Sequence, residues 1–214
     1  MSLLPHHYIA VEGPIGVGKT SLAELLAKRL GARTLLEAAE ENPFLKEFYS
    51  DMRRYAFQVQ LTFLLNRYRQ QQELLQTHLF RQRLISDYLF AKDRIFAYVT
   101  LDDNELALYE KLAPLLEVRV PKPDLVIYLQ ADVGTLLARI GERGKPYEAR
   151  LERFYLEDVV AAYNHFFFHY TETPLLVVNT SEIDFVKRKE DLDDLIRQLE
   201  ELKAGTQYYV PLGS

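Results

Sequence analysis

Short apolar runs alternate with long amphipathic stretches along this chain. Tyr8-Ile9-Ala10-Val11, Leu84-Ile85-Ser86, Leu125-Val126-Ile127-Tyr128-Leu129 and Leu175-Leu176-Val177-Val178 are compact apolar runs, several of them β-branched. They predict strands near residues 7–12, 33–37, 83–87, 124–129 and 174–178. The first, fourth and fifth suit a sheet covered on both faces. Apolar positions at helical spacing predict helices near 18–31, 43–50, 52–79, 89–98, 103–117, 132–142, 148–170 and 183–203. Gly31 is placed to end the first helix, and Asp132 to cap the one after the fourth strand. Strand and helix in alternation predict an α/β fold with a central parallel five-stranded sheet flanked by helices. No repeat, low-complexity tract or flexible linker interrupts it, so residues 1–205 read as a single domain and 206–214 as an extended tail.

Composition narrows the function classes. Hydrophobic residues make up 48% of the 214, enough for a sizeable core. The chain has no cysteine, which excludes disulfides and thiolate metal sites and fits a cytoplasmic protein. A net charge of −5 argues against general nucleic-acid binding. No apolar run reaches the roughly 20 residues of a membrane span, so no membrane role is expected. Residues Met1 to Pro5 lack a basic and an apolar region, so no secretory signal is expected. His165 and His169 are four apart, but with no third ligand nearby they read as packing or surface residues.

The strongest chemical signal is Gly13-Pro14-Ile15-Gly16-Val17-Gly18-Lys19-Thr20. This is G-x-x-x-x-G-K-T between a strand and a helix, the context a phosphate-binding loop requires. The glycines let backbone N–H groups wrap a polyphosphate, and the helix N-terminus adds unpaired donors and its dipole. Lys19 is placed to reach the β- and γ-phosphates of ATP, and the Thr20 hydroxyl to ligate Mg²⁺.

Three further groups bear on the second substrate. Asp87 ends a strand, and the carboxyl ends of parallel strands form the ligand crevice, so it lies beside the loop as a metal ligand or proton acceptor. Gln60 and Arg67 are seven apart, two helical turns, and share a face. Spacing alone leaves that face free to be a merely solvated one. Arg139, Arg143 and Lys145 are interrupted by Gly141 and Gly144, the mark of a short mobile lid at about 139–148. Such cations stabilise charge on a phosphoryl group in transit, and closure excludes water.

Four segments together resemble the deoxynucleoside kinase family, its bacterial deoxyguanosine and deoxyadenosine kinase branch above all. They are Glu12 to Thr20, Glu41-Asn42-Pro43-Phe44-Leu45-Lys46-Glu47-Phe48-Tyr49, Ser86-Asp87-Tyr88-Leu89-Phe90 running on to Ile95-Phe96-Ala97, and Arg139 to Glu148. The resemblance covers roughly residues 7–200 and implies the P-loop kinase fold. It implies ATP-dependent phosphorylation of the 5′-hydroxyl of a deoxynucleoside, purine or deoxycytidine, in nucleotide salvage. It makes Asp87 the general base, with Lys19, Arg139 and Arg143 also catalytic. Gln60 then reads the base, Arg67 lies beside it paired with Asp93, and Phe96 stacks on the ring. Tyr49 and Glu148 bind the sugar 3′-hydroxyl. Glu37 lies near the 5′-hydroxyl, with Glu40 the nearby alternative. The ATP side takes residues 13–20 with Arg139, Arg143 and Lys145. Many relatives carry Arg after the acid where this chain has Tyr88, so another residue must supply that cation. The family also implies a homodimer through the apolar helix at 148–170 and the long helix. Rival readings are a thymidylate-type monophosphate kinase and a nucleotide-dependent switch that transfers nothing.

Overall fold

The five predicted strands pair as a parallel sheet, and a sixth strand joins it. The computed structural model describes residues 5–76, 82–186, 188–202 and 204–210. Its strands are β1 (Tyr8–Glu12), β2 (Arg33–Leu35), β3 (Leu84–Ser86), β4 (Leu125–Gln130), β5 (Leu175–Asn179) and β6 (Thr206–Tyr209), in the spatial order β2-β3-β1-β4-β5-β6. Every pairing is parallel. β6 arises from the stretch read as a tail. Gly205, at φ 73, turns the chain, and Leu175 to Val178 of β5 then pair with Thr206 to Tyr209. Tyr209 packs on the core while Tyr208 faces out, the two-residue alternation of an edge strand. Residues 211–214 of the predicted tail lie outside the described residues.

Eight helices cover the sheet among the described residues: α1 (Lys19–Leu30), α2 (Leu45–Ser50), α3 (Met52–Gln76), α4 (Lys92–Thr100), α5 (Asp103–Glu117), α6 (Val133–Arg143), α7 (Arg153–Phe168) and α8 (Lys189–Glu201). Gly31 ends α1 in the left-handed region, and the Asp132 carboxylate accepts the Thr135 N–H to start α6. The predicted end of α3, residues 77–79, lies outside the described residues. Helix α2 begins at Leu45 rather than 43 and α4 at Lys92 rather than 89, and two helices begin later still. Pro146 opens a short 3-10 turn through Arg150, so α7 starts at Arg153 rather than 148. Ile183 and Phe185 are buried in the core from a loop, and α8 starts only at Lys189.

The sheet is apolar on both faces. Ile9, Val11, Ile127, Leu129, Leu176 and Val178 pack with α1, α6 and α8, while Ala10, Val126, Tyr128, Leu175 and Val177 pack with α7. Each fully buried Leu or Ile contributes about 1.5–3 kcal/mol, which fixes the strand register: a slip by one would exchange the two faces. β1 lies between β3 and β4, with Ala10 beside Ser86 and Glu12 beside Tyr128. The strand order reverses there, so a crevice opens past the carboxyl ends of β1 and β3.

Candidate active site

The loop after β1 is shaped by three glycines with positive φ: Gly13 at 152°, Gly16 at 85° and Gly18 at 100°. Two of them also leave no room for a side chain. A Cβ on Gly13 would lie 2.5 Å from the Leu129 carbonyl oxygen, and one on Gly16 would lie 2.7 Å from Ile140 Cγ1. The loop is thus pressed against β4 and α6. Lys19 Nζ donates to the carbonyls of Gly13 (2.8 Å) and Pro14 (3.0 Å), folded back over the loop it serves. Burial, with the nearby Lys92 ammonium, lowers the Lys19 pKa to about 8.

Asp87 follows β3 directly and is 4% exposed. Its Oδ2 accepts the Thr20 hydroxyl at 2.5 Å, and its Oδ1 accepts the Glu37 backbone N–H at 2.7 Å. One carboxylate therefore ties the phosphate loop to the segment after β2. That strand ends at Leu35, two residues before the predicted boundary, which leaves Glu37 on a loop facing the cavity. Glu40 does not share the position: its side chain is 69% exposed and pairs with Lys145 at 2.9 Å.

Beyond Glu37 lies a buried ion-pair network. Arg67 Nε and a terminal nitrogen reach Glu37 Oε1 at 2.7 and 2.5 Å, and its other terminal nitrogen donates to Asp93. Asp93 also accepts the Tyr109 hydroxyl at 2.8 Å. Lys92 Nζ takes the second Glu37 oxygen at 2.8 Å. Burial alone would raise the Glu37 carboxyl, but the two cations outweigh it and hold it well below the usual carboxylate range. Burial likewise disfavours charge on Arg67, and Glu37 with Asp93 more than restores it. The solvated-face reading of the long helix is excluded at these positions, since Gln60 is 4% exposed and Arg67 3%.

Gln60 Nε2 donates to the Asp93 carbonyl at 3.0 Å, and its amide lines the cavity beside Arg67, Phe63 and Phe96. The Arg67 guanidinium lies 5.0 Å from the Phe63 ring centroid. Asn42 locks this wall, donating to the Val59 carbonyl and accepting the Phe44 N–H, each at 3.1 Å. On the opposite side Tyr49 and Glu148 line the same cavity, and burial together with Glu148 raises the Tyr49 hydroxyl pKa.

The three cations of the 139–148 segment are not gathered at one point. Arg143 donates twice to Glu148, at 2.7 and 3.1 Å, and Lys145 pairs with Glu40. Arg139 turns away to a second cavity beside the loop, where it donates to the Thr180 hydroxyl and to the Thr180, Ile183 and Val17 carbonyls.

Two buried residues escaped the sequence reading. Lys92 carries no spacing signal. Glu12 reads as the start of the glycine motif, yet it is wholly buried, and it accepts the N–H groups of Gly13 (2.8 Å) and Leu89 (2.9 Å) and the Tyr163 hydroxyl (3.0 Å). It pins the loop to the segment after Asp87.

A parallel α/β sheet, a glycine-shaped loop at its switch point and a second polar cavity alongside define a P-loop nucleotide-binding protein with room for another ligand. Comparison with known proteins narrows that class. The chain belongs to the deoxynucleoside kinase family, whose model matches residues 9–203. It is 37% identical over 200 residues to the deoxyguanosine kinase of Bacillus subtilis, covering 91% of this chain and 97% of that protein. It is 31% identical over 199 residues to the deoxyadenosine/deoxycytidine kinase of the same organism, covering 89% and 90%. Among solved structures, deoxyadenosine kinase from M. mycoides with bound dCTP matches with a TM-score of 0.78 at 26% identity, over 91% of this chain and all of that one. The chain is thus an enzyme that phosphorylates deoxynucleosides, and neither rival reading is favoured. No helix among the described residues is long and apolar enough to cross a membrane.

Proposed function

We propose that ATP occupies the loop of residues 13–20 and that its γ-phosphoryl group passes to the 5′-hydroxyl of a purine deoxynucleoside or deoxycytidine in the adjoining cavity. The observation that carries this reading is Asp87, which touches the Mg²⁺-ligand candidate Thr20 on one side and the Glu37 segment on the other. Thr20 and Asp87 supply hard oxygens of the kind Mg²⁺ takes, and too few for a closed site, which fits a metal held mainly by phosphate oxygens. When bound, that ion neutralises charge between the β- and γ-phosphates.

Asp87 takes the proton of the attacking hydroxyl. Lys19 leaves the Gly13 and Pro14 carbonyls for the phosphates. Gln60 and Arg67 meet the base edge, Phe96 lies against the ring, and Asp93 holds Arg67 in place. Tyr49 and Glu148 bind the 3′-hydroxyl as donor and acceptor. Residues 139–148 act as a lid: Arg143 and Lys145 exchange Glu148 and Glu40 for phosphate oxygens, while Arg139 holds the donor side at Thr180. The domain extends past the predicted boundary at 205 to include β6. A second reading of the base is favoured by one observation. The 2.5 Å contact with Thr20 supports a metal-side role for Asp87, and on that reading Glu37 is the acid at the 5′-hydroxyl.

Phe154 and Phe168 on α7, each 77% exposed, support a homodimer through that helix, and sedimentation of the intact chain tests it. A cytoplasmic enzyme would meet its ATP and its salvaged nucleosides together. The transfer is tested with γ-labelled ATP against each deoxynucleoside and dTMP. Label is expected on a deoxynucleoside. Label on dTMP alone, or hydrolysis without transfer, would overturn the reading.

A further inference from the structure

Lys92 has no part in the roles above, although it is 6% exposed and lines the acceptor cavity. It opens α4, and its ammonium lies 2.8 Å from Glu37 Oε2 and 5.7 Å from the Phe96 ring centroid. A lysine this far from water keeps its charge only through a partner. Glu37 is that partner, yet Arg67 already satisfies its other oxygen, fixed in turn by Asp93 and Tyr109. The Arg67 contact is thus anchored from both sides, while Lys92 holds Glu37 by a single flexible contact that can be exchanged.

Two further observations give the direction of that exchange. Lys92 and Lys19 line the same cavity, so a second ammonium group stands in the space that the phosphate-loop lysine also reaches. The residue after Asp87 supplies no cation there: Tyr88 is wholly buried, and its hydroxyl joins Gln70 and Gln71 on the far side.

We propose that Lys92 is a catalytic residue that moves from Glu37 to a non-bridging oxygen of the phosphoryl group in transit, as the substrate hydroxyl takes its place on Glu37. In that step the O5′–P bond forms while the bond from phosphorus to the β-phosphate oxygen breaks. The hydroxyl proton goes to the carboxylate base, and Lys92 donates hydrogen bonds and stays protonated. The inference rests on the site reading above.

The absence of native cysteine makes the test clean, because Lys92→Cys introduces a unique thiol. We expect kcat for a deoxynucleoside to fall about 10²-fold, as for other lost transition-state donors, with the ATP KM within about threefold. Aminoethylation with 2-bromoethylamine should restore most of kcat, and neutral alkylation with iodoacetamide should not. A kcat within about threefold of wild type, or equal rescue by both reagents, overturns the proposal. If circular dichroism shows Lys92→Cys unfolded, Lys92→Gln, which keeps a donor for Glu37, takes its place. A folded Lys92→Gln with the same kcat loss supports the proposal, and retained kcat overturns it. An unfolded one overturns it too, by making Lys92 a structural cation. Wild-type enzyme that phosphorylates no deoxynucleoside would instead count against the function reading.

Discussion

The two halves of the site are made of different material. The donor half is backbone, with Gly13, Gly16 and Gly18 in conformations other residues adopt only with strain, pressed against Leu129 and Ile140. The acceptor half is side chains, with Glu37, Arg67, Lys92 and Asp93 drawn from three separate segments into one ion-pair network. A loop that wraps a phosphate with successive N–H groups is contiguous in sequence. A side-chain network has no such requirement. It depends on the fold to bring its members together and to hold them out of water, where pairing matters most.

The sharpest challenge to this division is Glu12, a side chain that holds the backbone half in place. Glu12→Ala should cost about 3–6 kcal/mol, since three buried donors each lose an acceptor. A thermal melt should show Tm lower by about 10–20 °C. A change of only a degree or two would mean the loop holds itself. Gly16→Ala should cost about 2–4 kcal/mol from positive φ and overlap with Ile140, read as lower Tm together with weaker ATP binding. Normal ATP affinity there would show that the loop does not need its close approach to α6.

Asp87→Asn and Glu37→Gln sharpen the contact between the halves. The variant lacking the general base should lose at least about 10²-fold in kcat. The Asp87 reading predicts that loss for Asp87→Asn with ATP affinity kept. A larger loss in Glu37→Gln would move the base to Glu37. The smallest effect is on pH. The useful form of Lys19 is protonated, and its pKa in the free enzyme is lowered to about 8. kcat/KM for ATP should therefore be level below that pH and fall by up to about tenfold per unit above it. A profile flat to pH 9.5 would place the ammonium in a more solvated setting.

The same contrast explains what the sequence reveals. The loop, the strand before it and the helix after it are visible from local spacing, and so is the Asp132 cap. Gln60 and Arg67 are visible only as one helix face. Their own neighbourhood is rich in Arg and Gln, and nothing local distinguishes these two as buried. Lys92 is hidden for the same reason: its partner Glu37 lies on another segment, and a lone lysine at a helix start usually faces water. Glu37 and Glu40 differ only in which one the loop after β2 turns inward. β6 was missed because a short aromatic stretch near the chain end has no amphipathic partner in sequence, and its pairing depends on the exposed edge of β5. The late starts of α7 and α8 come from Pro146 and from loop residues that the core recruits, both tertiary effects on boundaries.

The claim that the halves are separately built and meet at Asp87 is tested most directly by calorimetric titration of two variants with each substrate. Lys19→Met should lose ATP affinity by at least about tenfold while binding the deoxynucleoside as wild type does. Gln60→Leu should do the reverse, losing at least about tenfold for the deoxynucleoside and keeping its ATP Kd. If either variant, folded by circular dichroism, weakens both ligands to the same degree, the two halves are one unit and the division drawn here is wrong.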